Sequence, residues 1–127
     1  MTPIRVVCIE DESEMIDLVS MILSREGYQV IGAPNGLLGL QIVEDTQPEL
    51  VLLDLMMPDL DGWEVYQRLK SNPKTTNIPI IVVTARAQSI DKILGLHIAK
   101  VDDYITKPFS PAELLSSIEK VLNKKAT

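Results

Sequence analysis

Leu50-Val51-Leu52-Leu53-Asp54-Leu55-Met56-Met57-Pro58-Asp59-Leu60-Asp61-Gly62-Trp63-Glu64-Val65-Tyr66-Gln67-Arg68-Leu69 holds two patterns in succession. Residues 50–53 are a short unbroken apolar run, which suits a strand buried on both faces. Trp63, Val65, Tyr66 and Leu69 recur at helical spacing and mark one apolar helix face. A strand, a connection beginning at Asp54 and a helix therefore follow one another.

The same succession repeats on either side. Apolar runs rich in Val and Ile stand at residues 4–9, 28–31 and 78–83, with a weaker one at 102–105. Helical spacing appears in Met15, Ile16, Leu18, Val19, Ile22 and Leu23, and again in Leu37, Leu38, Leu40, Ile42 and Val43. A fourth helical segment carries Ile90, Ile93, Leu94 and Ile98, and a fifth carries Leu114, Leu115, Ile118, Val121 and Leu122. Boundary signals agree. Gly27 follows the first helix as a C-terminal glycine should. Asn35 is placed to cap the second. Ser110-Pro111-Ala112-Glu113 reads as a capping box with proline at the first helical position.

Five βα units in alternation predict an α/β fold, a doubly wound parallel sheet with helices on both faces. Length predicts a single domain over residues 1–127, with the polar residues 123–127 as a tail or the start of a linker. A net charge of −6 speaks against nucleic-acid binding by this chain alone, because phosphate neutralisation needs clustered Lys and Arg. The lone cysteine, Cys8, sits in the first apolar run and reads as a small buried hydrophobe. One cysteine, no signal-peptide pattern and no long apolar run predict a soluble, cytoplasmic protein without a membrane span.

In such sheets, ligands sit beyond the carboxyl ends of the strands near the point where the strand order reverses. The first run leads into Glu10-Asp11-Glu12 and the third into Asp54. If both strands are central, Glu10, Asp11 and Asp54 crowd together, and like charges so placed raise one another's proton affinity or demand a cation. Oxygen ligands with one or two carboxylates suit Mg²⁺. Alternatively, these acids simply cap the next helix, where negative charge is favoured. The fourth run ends at Thr84-Ala85, and the fifth is followed by Thr106-Lys107-Pro108. Singly, a strand-end Thr is a turn residue and a lone Lys a solvated one; convergence on one rim of the sheet is what makes them candidates. Met56 and Met57 read as packing and shielding residues, since Mg²⁺ takes oxygen. A solitary His97 reads as a helix-face residue rather than a metal ligand.

Read together, these segments resemble the receiver domains of response regulators in two-component signalling systems. The segment 50–62 is similar to their phosphoacceptor stretch, and Glu10-Asp11-Glu12, Val82-Val83-Thr84-Ala85 and Asp103-Tyr104-Ile105-Thr106-Lys107-Pro108-Phe109 match their other signatures in order and spacing. The resemblance covers essentially the whole chain. It implies a flavodoxin-like (βα)5 fold with strand order 2-1-3-4-5. It implies that Asp54 accepts a phosphoryl group from a sensor histidine kinase or phosphotransfer protein in a Mg²⁺-dependent reaction. Asp11 would then bind Mg²⁺ directly, Glu10 through water, and Asp54 and the Met56 backbone carbonyl would supply further oxygens. Lys107 would contact the phosphoryl oxygens, Thr84 and Tyr104 would form the switch, and Pro58 and Gly62 would shape the loop after Asp54. Met56 and Arg86, neither a good base for water, imply a long-lived phosphoryl group.

The resemblance also implies a readout surface made of the fourth helical segment, the fifth strand and the last helix. Asp91-Lys92 and Asp102-Asp103 supply both charge signs there, with Leu96 as an apolar centre, for a phosphorylation-dependent homodimer or a partner. Three departures stand out. Glu10 replaces the commoner aspartate, Lys100 stands where glycine is usual, and the basic residue that winged-helix regulators usually carry on the last helix near Ser117 is absent.

Three rival functions fit the sequence less well. A haloacid-dehalogenase-type phosphatase needs a second aspartate two positions after the nucleophile, and Met56 stands there. An EF-hand loop built on Asp59-Leu60-Asp61-Gly62 would put Met57 and Arg68 at ligand positions. A phosphorylation-independent scaffold would be expected to have lost part of the acid pair, the aspartate or the lysine. The expectation is thus a phosphoacceptor signalling domain, not an enzyme with external substrates.

Overall fold

A computed structural model of the chain describes residues 3–58, 60–85 and 101–126. In these, β1 (Arg5–Ile9), α1 (Ser13–Ser24), β2 (Gln29–Ala33), α2 (Gly36–Thr46), β3 (Leu50–Asp54), α3 (Gly62–Ser71), β4 (Ile80–Thr84), β5 (Asp103–Thr106) and α4 (Pro111–Ala126) follow in order. The expected helical segment at 90–98 lies outside the described residues, as do Arg86, Asp91, Lys92, Leu96, His97 and Lys100.

All strand pairs are parallel and the order is β2-β1-β3-β4-β5. This is the doubly wound arrangement expected, with its reversal between β1 and β3. Alternate side chains feed two cores. Val7, Ile9, Val51, Leu53, Ile80 and Val82 pack with Val43, Val65, Tyr66 and Leu69 of α2 and α3. Val6, Cys8, Leu50, Leu52, Ile81 and Val83 pack with Val19, Ile22 and Leu23 of α1 and with Leu114, Ile118 and Val121 of α4. Each fully buried aliphatic side chain contributes about 1.5–3 kcal/mol to this arrangement.

The boundary signals work as read. Gly27 has φ +84° and closes α1. The Asn35 side chain accepts from the Leu38 N–H at 2.8 Å. At α4 the capping box is reciprocal: the Glu113 N–H donates to Ser110 Oγ at 3.1 Å, and the Ser110 N–H donates to Glu113 Oε1 at 3.2 Å. Two expectations are refined. First, β2 is not buried on both faces, because it is an edge strand and its Gln29 and Gly32 reach solvent. Second, the apolar spacing stops at Leu122 but α4 runs on to Ala126, since Lys and Ala have high intrinsic helix propensity.

Candidate functional site

The sheet ends carry the chemistry. After β1, the Glu10 N–H still bonds to the Ala33 carbonyl at 3.0 Å, which extends the sheet by one residue and holds Glu10 over its rim. Asp11 follows, exposed, and Glu12 precedes α1. Asp54 is the last residue of β3 and is buried, opposite Val83 of β4. One carboxylate oxygen each from Glu10, Asp11 and Asp54 lies within 4.8 Å of the others. Three acids on two adjacent strand ends are a donor set that fits a hard divalent cation.

The loop after Asp54 is pinned at both ends. The Met56 N–H donates to Asp54 Oδ1 at 3.0 Å, so the Met56 peptide lies against the carboxylate. The Gly62 N–H donates to the Leu55 carbonyl at 3.3 Å. A Cβ on Gly62 would stand 2.4 Å from Leu55 Cα and 2.7 Å from the Asp54 carbonyl oxygen, so only glycine lets α3 start there. Beside Asp11 opens a pocket of about 630 Å³ walled by Leu55, Met56, Met57, Pro58 and Trp63, with Asp61 on its rim.

Lys107 comes from the far edge of the sheet. Its N–H donates to the Thr84 carbonyl at 2.8 Å, which ties the residue after β5 to the end of β4. The ammonium then reaches across to Glu10 Oε1 at 2.5 Å, Asp54 Oδ2 at 3.6 Å and Glu12 Oε1 at 3.6 Å. Burial lowers the Lys107 pKa, but the carboxylates, Glu10 foremost, outweigh it and leave it raised. Burial also pushes Glu10 up to about 7, against the bond from Lys107. The site is therefore a buried acid pair and an exposed acid sharing one cation.

Of the expected residues, Glu10, Asp11, Asp54 and Lys107 meet directly. Thr84 is buried at the end of β4, beside them through its backbone. Tyr104 stands apart, 42% exposed on β5. The expected readout surface is described only in part. There Asp102 Oδ2 accepts from the Ile80 N–H at 2.8 Å, and Asp103 Oδ2 accepts from Ser117 Oγ at 2.6 Å, with Lys120 Nζ at 3.2 Å. These two acids, expected to supply negative charge to a partner, are engaged within the chain. Glu12 was not singled out by the sequence. Its signal was available: a glutamate at a helix N-cap, where Ser, Thr, Asp or Asn is preferred.

Residues 6–119 match the response regulator receiver domain family. The chain is 40% identical over 120 residues to the DNA-binding dual master transcriptional regulator RpaA of Synechocystis sp., covering 94% of this chain and 49% of that protein. It is 38% identical over 119 residues to the phosphate regulon transcriptional regulatory protein PhoB of Pseudomonas aeruginosa, with 94% and 52% covered. The chain thus spans about half the length of the curated relatives it matches. A crystal structure of a CheY-like response regulator receiver domain protein from Methanospirillum hungatei superposes with TM-score 0.88 at 29% identity, covering 98% of each chain. Family match, fold and retained acid pair agree, and the chain belongs to the response regulator receiver domains of two-component systems.

Proposed function

We propose that Asp54 is the phosphoacceptor, taking a phosphoryl group from a phosphohistidine on a sensor kinase or phosphotransfer protein. One observation carries the reading: Glu10, Asp11 and Asp54 converge within 4.8 Å while Lys107 lies 3.6 Å from Asp54. A carboxylate oxygen attacks phosphorus, the P–N bond breaks, and the imidazole leaves with the electron pair. Both reactants are anionic, so the repulsion must be offset. Lys107 does this by turning from Glu10 to the phosphoryl oxygens, and the short span between its two partners supports that role. Glu10, Asp11, Asp54 and the Met56 carbonyl are the groups that would hold Mg²⁺. When bound, that ion neutralises charge on the transferring group.

Burial of Asp54 and the Met56 N–H on its Oδ1 leave Oδ2, the oxygen nearest Lys107, as the nucleophile. Thr84 and Tyr104 form the switch in this reading. Thr84 moves toward the phosphoryl group, and Tyr104, outward here, turns in. The surface altered includes β5 and α4 and acts on a partner or an output domain. A scaffold that never accepts phosphate would have no use for the buried Lys107–Glu10–Asp54 cluster, and burying unused charge is costly.

The test is phosphoryl uptake from acetyl phosphate with Mg²⁺, followed by intact mass. The unaltered chain should gain one phosphoryl group and Asp54→Asn none. Equal gain by the variant would move the acceptor elsewhere.

A further inference from the structure

Glu12 breaks a local rule. It is the N-cap of α1, with extended backbone at φ −89° and ψ 111°, yet its side chain caps nothing. Its main chain is well fixed. The N–H donates to Glu10 Oε2 at 3.3 Å, and its carbonyl accepts from Met15 and Ile16 at 3.0 and 3.2 Å. Only the side chain departs from the rule: it makes no cap bond and lies 3.6 Å from Lys107 while staying 66% exposed. Where local preference is overruled without a packing gain, the compensation is sought in function.

The charge pattern says what that function is. Three carboxylates, those of Glu10, Glu12 and Asp54, lie within 4 Å of the Lys107 ammonium, and Asp11 adds a fourth acid beside Glu10 and Asp54. Glu10, Asp11 and Asp54 form the cluster that fits a divalent cation, and Glu12 lies outside it. With a cation bound, the formal charges of the four acids, the cation and Lys107 leave one surplus negative, and Glu12, the exposed partner of Lys107, is the acid an approaching phosphodonor meets first. Lys107, the group that must receive the phosphoryl oxygens, is shared with it.

We propose that Glu12 is a positioning and specificity-determining residue: its carboxylate holds Lys107 toward the mouth of the site and repels free anionic phosphodonors. The proposal rests on the phosphoacceptor reading of Asp54. It deepens that reading by naming the donor class the site resists, small multiply charged phosphodonors in solution. With acetyl phosphate the acyl-phosphate P–O bond breaks and acetate leaves with the electron pair. With phosphoramidate the P–N bond breaks and ammonia leaves. In both, the new O–P bond forms on Asp54 with no further reactant. Near neutral pH the first donor is a dianion and the second a monoanion. A charge filter therefore separates them, whereas a helix-capping role does not.

The experiment measures second-order phosphorylation rates of the unaltered chain, Glu12→Gln and Glu12→Asp with both donors at saturating Mg²⁺. Glu12→Gln should speed acetyl phosphate about three- to ten-fold at low ionic strength, and phosphoramidate less, as expected for one charge removed beside a dianion and a monoanion. The gain should shrink at about 0.5 M salt, where screening reaches only a few ångströms. Glu12→Asp keeps the charge and should stay close to the unaltered chain. A Glu12→Gln rate with acetyl phosphate no higher than that of the unaltered chain would overturn the proposal. So would an equal gain with both donors, a gain insensitive to salt, or a Glu12→Asp rate like that of Glu12→Gln. If the unaltered chain takes up phosphate from neither donor, the phosphoacceptor reading itself fails, and that outcome is distinct from these.

Discussion

Asp103 is held by more partners than its place at a sheet edge requires. The Tyr104 N–H donates to Oδ1, and Ser117 Oγ and Lys120 Nζ converge on Oδ2. Burial alone would raise its carboxyl pKa, but these donors outweigh it and hold the group below its ordinary value. A depressed carboxylate stabilises the fold above its unfolded value, ordinarily 3.8, and that contribution is lost as pH falls through the lower folded value. Asp103→Asn should therefore lower stability at neutral pH by about 1–2 kcal/mol, as expected for hydrogen bonds to a partly screened charge. In denaturant titrations the gap should close at strongly acidic pH, and an undiminished gap there would refute the assignment. Lys107 illustrates the same competition deeper in the molecule, where the carboxylates around it outweigh desolvation.

At the scale of elements, the connection from β3 to α3 is held tightly where it ends. Asp54 ends the strand, and Gly62 opens the helix against the backbone of Leu55. A methyl at Gly62 meets main chain, which cannot rotate aside. Gly62→Ala should cost about 1–3 kcal/mol, the usual range for overpacking. It should also slow phosphoryl uptake, because the atoms displaced are the Asp54 carbonyl and the peptide after it. Gly27→Ala makes the useful comparison. Its added Cβ meets nothing within 4 Å, and the cost is only that of a positive φ, about 1 kcal/mol. Unfolding both variants in urea while following phosphorylation separates them: both lose stability, and only Gly62→Ala loses rate.

Across the whole molecule, two apolar cores are clamped on one sheet, and Cys8 reports on their integrity. It lies on β1 in the core shared by α1 and α4, and burial pushes its thiol up to about 12. Thiolate is the reactive form, so a folded chain near neutral pH should resist thiol reagents. Labelling should then proceed only through opening of the sheet and accelerate as denaturant approaches the unfolding midpoint. Reaction at the speed of the unfolded chain in native buffer would mean that this core opens locally.

Local physics wrote much of this into the chain. The apolar runs became strands because only a sheet covered on both faces buries such residues. Asn35 and Ser110 became caps because their side chains satisfy backbone groups a few residues away. The order and spacing of Glu10, Asp11, Asp54, Thr84 and Lys107 made the receiver family legible. What tertiary structure alone decided is partnership. Lys107 sits 97 residues from Glu10 and bonds to it more closely than to Asp54, the partner its role suggests. Ser117 and Lys120 turn Asp103 inward, and Glu12 makes no cap bond but pairs with a lysine at the other end of the chain. Periodicity and capping act over a few residues, so they foretell elements. Which charge meets which across a sheet depends on side-chain reach after those elements have packed, and no local pattern carries that distance.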